Sequence, residues 1–400
     1  MLISADDLRA LYIGTVEPLT EEQQALYRDT VLTVLKDDLW TPRDMYDACH
    51  HLMVPMHYAF RAGDETAVRA FSDQFSQFIA DVGEKDIYSF QTHNKLDRLQ
   101  FFYFCTQFMV LCAAYGYDDL IPDALPVLAE TFAEDYLLYT EANWKTERTV
   151  IEHIRQVLAG KEYSRRYYSS IEDLDRYSLA ILCDLRCLAV MRGCQPSETM
   201  DTAADLAWQI YSSPLLNTET DVGGWLFQVG VGSDYGDNAY AGNLSITEDI
   251  QPMPREDIPV DSNHSMRLPL LLTSYQSAQP DREHWEIFRL RKKQLANQLV
   301  RCVLKNVDGH WLVTTFMDGT NGVYRYEYHE KGAGLEGYDL SDSLLMGWWA
   351  LLEDPRIKQV YQDILDTFPM EGNVENPFFD TVTVYETGMF ECIVACAEKF

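Results

Sequence analysis

Residues 96–115 read LDRLQFFYFCTQFMVLCAAY, and residues 174–192 read LDRYSLAILCDLRCLAVMR. Both segments begin with Leu-Asp-Arg and then remain apolar on nearly every side of a helix. A helix of this kind is surrounded by protein instead of lying on the surface. The two stretches therefore predict buried helices, and the rest of the chain follows the same pattern.

Helical periodicity continues along the chain in two alternating kinds of segment. Amphipathic segments, each with one polar face, span 20–37, 64–82, 122–138, 199–212, 282–305 and 355–368. Apolar segments of the buried kind span 43–60, 96–115, 174–192, 262–275, 340–352 and 386–398. Each buried segment has an acidic residue at or near its start, which simple helix capping also explains. The alternation predicts six hairpins, each pairing an inner helix with an outer one.

Charge and composition exclude several classes of protein. The 400 residues include 63 Asp and Glu against 32 Lys and Arg, which gives a formal net charge of −31. Binding to nucleic acid phosphates needs a positive surface, so we expect no nucleic acid partner. The chain lacks a basic, apolar leader and any apolar stretch near the roughly 18 residues of a membrane span, so we expect a cytoplasmic protein without a membrane partner.

Long connections are concentrated on one side of the predicted hairpins, where the buried helices begin. The longest of them span residues 139–173, 213–261 and 306–339. Long loops in compact proteins are usually functional. Residues 310–328 form two β-prone runs on either side of Asn321-Gly322, which predicts a β-hairpin within these loops.

Six alternating helical hairpins, long loops at the starts of the inner helices, and loops rich in Trp and Tyr resemble an (α/α)6 toroid of the six-hairpin glycosidase type. The resemblance covers residues 1–400 as a single domain and is one of architecture, since no motif assigns a particular glycosidase, lyase or epimerase family. It implies an all-α fold of six helical hairpins, to which the residues at 310–328 add a small β-hairpin in the loops on one face. It also implies a pocket at the N-termini of the inner helices, a carbohydrate substrate, and catalytic carboxylates or histidines.

Acidic residues beside aromatic residues mark the start of the fifth buried segment. The sequence YRYEYH at 324–329 is followed by EGYDLSD at 336–342. Glycoside cleavage needs one carboxylic acid and a second carboxylate. We therefore predict that Asp339 or Asp342 forms a catalytic pair with Glu327 or Glu336. Asp339 and Asp342 are three residues apart and would share a helix face, although capping by Asp339 and a loop contact by Asp342 are the alternatives.

A second group, Asp261, His264 and Arg267, opens the fourth buried segment. The spacing lets the carboxylate of Asp261 orient the imidazole of His264, and histidine is the usual proton carrier near neutral pH. We predict that both residues orient the substrate or assist proton transfer, with a structural histidine as the alternative. Arg267 is a candidate to contact the substrate and neutralise a negative group on it.

Aromatic side chains in the long loops are candidates to stack on sugar rings, because a pyranose presents apolar C–H faces. We assign this substrate-binding role to Trp225, Tyr235, Tyr240, Trp311, Tyr324, Tyr326 and Tyr338. Packing of the loops against one another is the alternative for each of these residues.

Metal binding is the chemistry that the sequence supports least. The nine cysteines include no Cys-x-x-Cys pair, and no cluster of His and Cys has zinc spacing. Asp234, Asp237 and Asn238 offer oxygen ligands but lack the regularity of a calcium loop. We therefore expect no metal and no cofactor, with the cysteines present as reduced thiols.

These residues lead to three hypotheses. The first is a carbohydrate-active enzyme, a glycoside hydrolase that uses a pair of carboxylates on an oligosaccharide. The second is a sugar epimerase or polysaccharide lyase, in which His264 or His329, together with a tyrosine, moves a proton. The third is a non-catalytic helical binding or scaffold protein. The sequence leaves open the sugar, the linkage, the stereochemical outcome and the oligomeric state.

Overall fold

The computed structural model describes residues 2–41, 44–83, 95–139, 148–161, 170–233, 236–326, 334–368 and 388–400, and it is mostly helical. The α-helices are α1 Ala5–Tyr12, α2 Glu21–Asp29, α3 Val31–Val34, α4 Asp44–Ala62, α5 Glu65–Gly83, α6 Lys95–Tyr115, α7 Leu125–Tyr139, α8 Val150–Leu158, α9 Asp173–Met191, α10 Glu198–Ser212, α11 Ser262–Ser265, α12 Leu268–Ser277, α13 Arg282–Gln298, α14 Pro355–Leu365 and α15 Gly388–Ala397. Two small antiparallel sheets pair β1 Asn217–Glu219 with β2 Trp225–Phe227, and β3 Leu304–Val307 with β4 His310–Val313. Within the described ranges, every helix falls short of the length and apolar character that a membrane span needs.

Capping by polar side chains sets where several helices begin. Ser4 and Asp7 form a capping box at α1, in which each side chain accepts a hydrogen bond from the other residue's backbone N–H. Thr149 and Glu152 form the same arrangement at α8. Such boxes satisfy donors of the first turn that the helix itself leaves unpaired. The sequence thus contains a clear start signal for α8, a helix that lies inside a segment predicted as a long loop.

The apolar helices pack on one another in a cyclic order. α4 packs against α6, α6 against α9, and α9 against α12. α12 packs against the 3₁₀ segment Trp348–Leu352, which contacts α15, and α15 packs back against α4. The helices α5, α7, α10, α13 and α14 each pack against one or two of these inner elements. Apolar side chains of the inner elements form one contiguous core, in which most of the nine free cysteines are buried.

Two of the six buried segments are not regular α-helices. Segment 262–275 is divided into α11 and α12, with Pro269 in the first turn of α12. Segment 340–352, predicted as one helix, instead forms the 3₁₀ segments Ser341–Leu344 and Trp348–Leu352. Gly347 lies between them with a φ of 76°, and a Cβ there would meet a side chain of α15 at 2.9 Å. This left-handed residue separates the two segments. Asp339 lies before the first segment, which begins only at Ser341, so the prediction that Asp339 and Asp342 share one helix face is wrong.

The β-hairpin lies earlier in the chain than the sequence predicts. β3 and β4 are joined by Asp308-Gly309, and both residues have positive φ, as a tight two-residue turn requires. The predicted turn, Asn321-Gly322, instead brings loops together. The side-chain oxygen of Asn321 accepts a hydrogen bond from a backbone N–H at 3.0 Å, and a Cβ on Gly322 would lie 2.0 Å from a carbonyl oxygen of another loop. Glycine at 322 is therefore explained by a close backbone approach.

A buried polar network crosses the core where α6, α9 and α12 meet. Asp184 of α9 accepts hydrogen bonds from Thr106 Oγ1 and Gln107 Nε2, both at 2.8 Å. Gln107 Nε2 also donates to Ser274 Oγ of α12 at 2.9 Å, and all four side chains are fully buried. Burial raises the pKa of Asp184 to about 7, although hydrogen bonds from its neighbours favour the charged form. The network links three inner helices through one carboxyl group.

Candidate active site

The start of α9 gathers three acidic side chains and an arginine. Glu172, Asp173, Asp175 and Arg176 are all buried. Asp175 accepts a hydrogen bond from the backbone N–H of Glu172 at 2.9 Å, which satisfies a donor at the helix terminus. Four ionisable groups therefore lie within one turn of a buried helix.

A strained glutamine holds the chain just before α9. The side-chain amide of Gln228 accepts a hydrogen bond from the backbone N–H of Ile171 at 2.9 Å and donates to the carbonyl oxygen of Ile171 at 3.0 Å. Gln228 itself has a φ of 50°, a conformation that non-glycine residues rarely adopt. Such strain persists where the surrounding structure fixes a functional site.

Asp173 is the carboxylate on which two arginines converge. Arg176 donates to Asp173 Oδ1, and Arg267 Nη1 donates to Asp173 Oδ2 at 2.6 Å. Burial opposes the charged form of Asp173, but the two guanidinium groups outweigh it and hold the pKa below its usual value. Arg267 is fixed in turn by α4, because it donates to His50 Nε2 at 3.2 Å and to Tyr46 Oη at 2.9 Å. Burial lowers the pKa of His50 well below its usual value, so His50 is the neutral acceptor for Arg267.

Asp261 caps α11 and orients His264. Its Oδ1 accepts from the backbone N–H of His264 at 2.9 Å, and its Oδ2 lies 2.7 Å from His264 Nδ1. Tyr324 Oη donates to the same Oδ2 at 3.3 Å. Burial opposes ionisation of Asp261, but the charge and hydrogen bonds of His264 hold its pKa well below the usual range. The other imidazole nitrogen, Nε2, lies 3.8 Å from Asp173 Oδ2, so His264 stands between two carboxylates.

The same Asp-His arrangement occurs a second time, on the outer helix α13. Asp281 accepts from the backbone N–H of His284 at 3.1 Å, and its Oδ2 lies 2.9 Å from His284 Nδ1. Both side chains there are 30% exposed, whereas the side chain of Asp261 is 8% exposed. The three-residue spacing is therefore enough to form the Asp-His hydrogen bond. The pair at α11 differs from the pair at α13 in being more buried.

A further ion pair involves Asp237, in the 3₁₀ segment Gly236–Asn238. Arg325 Nε donates to Asp237 Oδ2 at 3.1 Å, and the backbone N–H of Arg325 donates to the carbonyl oxygen of Asp237 at 2.8 Å. Burial raises the pKa of Asp237, and Arg325 opposes this shift. Asp237 is 6% exposed, and among the described residues neither its Oδ1 nor the Oδ1 of Asn238 has a hydrogen-bond partner. Buried polar oxygens are rarely left in this state, so both are candidate acceptors for a ligand.

These groups line one pocket of about 220 Å³ at the N-termini of α6, α9 and α11. Its polar walls are formed by Glu172, Asp173, Arg176, Asp237, Asn238, Asp261, His264, Tyr324 and Arg325. Ser170, Gln228 and apolar side chains complete the lining. A concave site with a few convergent polar groups and perturbed pKa values is the usual form of a small-molecule site.

The carboxyl groups of the pocket differ in protonation. Burial, and after it the charges of Asp175 and Asp173, raise the pKa of Glu172 to about 9, despite the opposing charge of Arg176. Glu172 therefore holds a proton at neutral pH, whereas Asp261 is ionised. When two carboxyl groups in one pocket have such different pKa values, the protonated one is the candidate proton donor, and here it is Glu172.

The structure brings together only part of the predicted site. Asp261, His264 and Tyr324 line the pocket, and Arg267 lies behind it, holding Asp173. The predicted residues Glu327 and Tyr235 lie outside the described residues.

The predicted acids of the fifth buried segment lie away from this pocket. Glu336 accepts a hydrogen bond from the backbone of Ile246, and Asp339 accepts one from the backbone N–H of Glu336 at 2.7 Å, so both fix loops. Asp342 and Trp311 line a second pocket, also of about 220 Å³, between the β3–β4 hairpin and α14. Of the predicted acids that the structure describes, Glu336 and Asp339 therefore line neither of these two pockets, and Asp342 lines the second.

Most of the predicted sugar-stacking aromatics pack against protein. Trp225 is 1% exposed, which leaves no ring face for a sugar, and its Nε1 donates to Asn217 at 2.8 Å. The ring centroids of Tyr240 and Tyr326 lie 4.7 Å apart, so the two side chains contact each other. Tyr338 is half-buried with a φ of 76°, and its carbonyl oxygen accepts from a backbone N–H in the first 3₁₀ segment.

Glu172, Asp173 and Arg176 are site residues that the sequence pattern did not predict. The signal was present in the Leu-Asp-Arg sequence shared by residues 96–98 and 174–176. The second copy is preceded directly by Glu172-Asp173, and such an acidic run at the start of a buried helix exceeds what one cap needs.

The fold and pocket define a class of architecture, a mostly helical protein with a charged pocket at the N-termini of inner helices. No family model, curated protein or solved structure matches the chain at a significant level.

Proposed function

We propose that this chain is a carbohydrate-active enzyme built as an (α/α)6 toroid, with the pocket at α9 and α11 as its active site. The cyclic packing of the six inner elements, with α15 returning to α4, supports the ring. The position of the pocket at inner-helix N-termini supports the site, because toroids of this type are expected to bind substrate at that end. The same ring explains why residues 1–400 are proposed as one domain.

Glycoside hydrolysis is the reaction that the pocket supports best. One carboxylic acid must protonate the leaving oxygen, and a second carboxylate must act as base or nucleophile. Glu172 supplies the protonated group, and Asp237, paired with Arg325, supplies the second carboxylate in the same cavity. This combination carries the proposal. It replaces the predicted pair of Asp339 or Asp342 with Glu327 or Glu336, since neither Asp339 nor Asp342 lines this pocket.

The size of the pocket suits one sugar ring of an oligosaccharide. Pockets for drug-sized ligands are typically about 300–1,000 Å³, and this one, at about 220 Å³, is smaller. The phenol of Tyr324 and the apolar lining residues offer surface to C–H faces, while the oxygens of Asp237 and Asn238 offer acceptors to hydroxyl groups. We therefore propose cleavage at a chain end or of a short oligosaccharide.

The test is hydrolysis of methyl, p-nitrophenyl and 2,4-dinitrophenyl hexosides in both anomeric forms. Glu172→Gln removes the proton donor and is expected to lower kcat/KM on methyl hexosides by about 10²–10⁴-fold. Because dinitrophenolate leaves without protonation, the same variant is expected to retain most of its activity on the dinitrophenyl substrate. Asp237→Asn is expected to lose activity on both kinds of substrate.

Equal losses on both substrates in Glu172→Gln would exclude Glu172 as the proton donor. If the wild-type protein turns over none of these glycosides, the hydrolase proposal fails, and the non-catalytic binding function becomes the better reading. Aspartate-to-asparagine substitution of Asp318, a loop residue paired with Arg255 at 2.7 Å, serves as the matched control and is expected to leave turnover unchanged.

A sugar epimerase is the second candidate, and the Asp261–His264 dyad favours it. The imidazole lines the pocket, is oriented through Nδ1 and is supported by Tyr324 through Asp261, as a proton-abstracting base requires. Incubation of reducing sugars in D₂O separates the two reactions, because epimerisation exchanges the hydrogen next to the carbonyl carbon and hydrolysis does not. His264→Asn should abolish that exchange, and His284→Asn, which disrupts the matching surface dyad, should leave it intact.

A further inference from the structure

The ion pairs inside the pocket restrict the charge of its ligand. Arg176 and Arg267 both bind Asp173, and Arg325 binds Asp237. Each of these guanidinium groups is therefore held by a buried carboxylate. An anionic ligand that binds the guanidinium group of Arg325 would lie beside the carboxylate of Asp237, which is 6% exposed and already paired with that group. Two negative charges held close together in a poorly solvated site repel each other strongly, so such a ligand is disfavoured.

The net charge of the protein acts in the same direction. The formal charge of −31 places an anion approaching the chain in a repulsive field. At the pocket, the three carboxylate charges of Asp173, Asp237 and Asp261 equal in number the guanidinium charges of Arg176, Arg267 and Arg325. No surplus positive charge offsets the repulsion among these residues.

The pocket instead offers hydrogen-bond acceptors. Asp237 Oδ1 and Asn238 Oδ1 belong to consecutive residues, and neither has a partner among the described residues. Both atoms are buried, so each gains most from a ligand group that donates a hydrogen bond without carrying negative charge. Hydroxyl groups on neighbouring carbons of a sugar have this chemistry.

We propose that the pocket selects uncharged polyhydroxylated ligands, with Asp237 and Asn238 accepting from ligand hydroxyl groups. The Asp237–Arg325 pair is the element that rejects sugars bearing a carboxylate or phosphate. This inference rests on the proposed carbohydrate function and adds the charge class of the substrate.

Isothermal titration calorimetry of the full chain with methyl glucoside, methyl galactoside, methyl mannoside and the matching methyl hexuronides tests the inference. In the wild-type protein, at least one neutral hexoside is expected to bind at least tenfold more tightly than its hexuronide. Asn238→Ala removes one acceptor and is expected to weaken neutral binding about fivefold, the effect of one hydrogen bond. Asp237→Asn releases Arg325 and is expected to improve hexuronide binding at least tenfold while weakening the neutral sugar. Asp318→Asn serves as the control again and is expected to change neither affinity.

The outcomes separate this inference from the proposed function. Tighter binding of a hexuronide by the wild-type protein would overturn the charge selection and leave the carbohydrate function standing. Continued rejection of hexuronides by a folded Asp237→Asn variant would overturn the role of the Asp237–Arg325 pair. Binding of no sugar by the wild-type protein or either pocket variant would overturn the proposed function and this inference with it. The wild-type comparison stands even if a variant fails to fold.

Discussion

The carboxyl group of Asp184 makes the stability of the core depend on pH. Burial raises its pKa from 3.8 to about 7, so the folded chain binds a proton there more tightly than the unfolded chain does. Between these two values the folded state carries more protons than the unfolded state, and the free energy of unfolding therefore falls as pH rises. For a carboxyl group with these two pKa values, the free energy of unfolding falls by about 2.5 kcal/mol between pH 5 and pH 7.5.

Asp184→Asn is the perturbation that isolates this effect. The asparagine oxygen can still accept from Thr106 and Gln107, and the amide stays neutral at both pH values. The free energy of unfolding of the variant minus that of the wild-type protein is the quantity to compare. This difference is expected to be about 2.5 kcal/mol larger at pH 7.5 than at pH 5. Urea unfolding followed by far-ultraviolet circular dichroism at the two pH values gives the double difference, in which other titrating groups cancel.

A matched variant controls for the change in net charge. Asp205→Asn removes the same formal charge from an exposed position on α10, where Asp205 contacts only the solvent-facing Gln209 among its described hydrogen-bond partners. Its stability is expected to follow the wild-type pH profile. Parallel pH profiles for the Asp184→Asn variant and the wild-type protein would refute the reasoning.

Three substitutions test the backbone and ionic features that shape the site. Gln228→Ala loses two hydrogen bonds and is expected to lower the free energy of unfolding by about 2 kcal/mol. Gln228→Gly is expected to cost about 1 kcal/mol less, because glycine adopts a φ of 50° without strain. A higher melting temperature for the alanine variant than for the glycine variant would contradict this. Gly322→Ala places a Cβ 2.0 Å from a carbonyl oxygen and is expected to lower the free energy of unfolding by more than about 3 kcal/mol. Gly309→Ala is expected to cost only about 1 kcal/mol, because its Cβ meets nothing within 4 Å. Calorimetric melting of both variants shows which one is less stable. Arg267→Met leaves buried Asp173 with one arginine and is expected to cost about 3–5 kcal/mol in urea unfolding, whereas a loss below about 1 kcal/mol would show that the pair contributes little.

Helical periodicity predicted the inner helices α4, α6 and α9 because an apolar run of that length has few other solutions. The interruption at Gly347 depends instead on how closely α15 approaches, a long-range contact that no local pattern records. The hairpin shows the same limit. Asp308-Gly309 and Asn321-Gly322 are both good turn sequences, and only the tertiary structure decides which one reverses a strand pair.

The candidate site was partly predictable for a similar reason. The spacing of Asp261 and His264 predicts their hydrogen bond, but Asp281 and His284 have the same spacing on an outer helix, so spacing cannot say which dyad lines a pocket. The proton on Glu172 depends on burial beside other carboxyl groups, which arises only when the chain is folded. The sequence thus predicts local hydrogen bonds. The protonation of Glu172 and the set of side chains that meet in the pocket depend on the folded core.

The contact between α4 and α15 has a consequence for how the protein is made. α4 ends at Ala62 and its partner begins only at Gly388, so more than 300 residues must be translated before the two faces can meet. At typical synthesis rates, the apolar side of α4 waits on the order of 15 s to a minute for that partner. During this interval it is a natural binding site for chaperones, and a slow step late in refolding is expected for a closure of such long sequence separation.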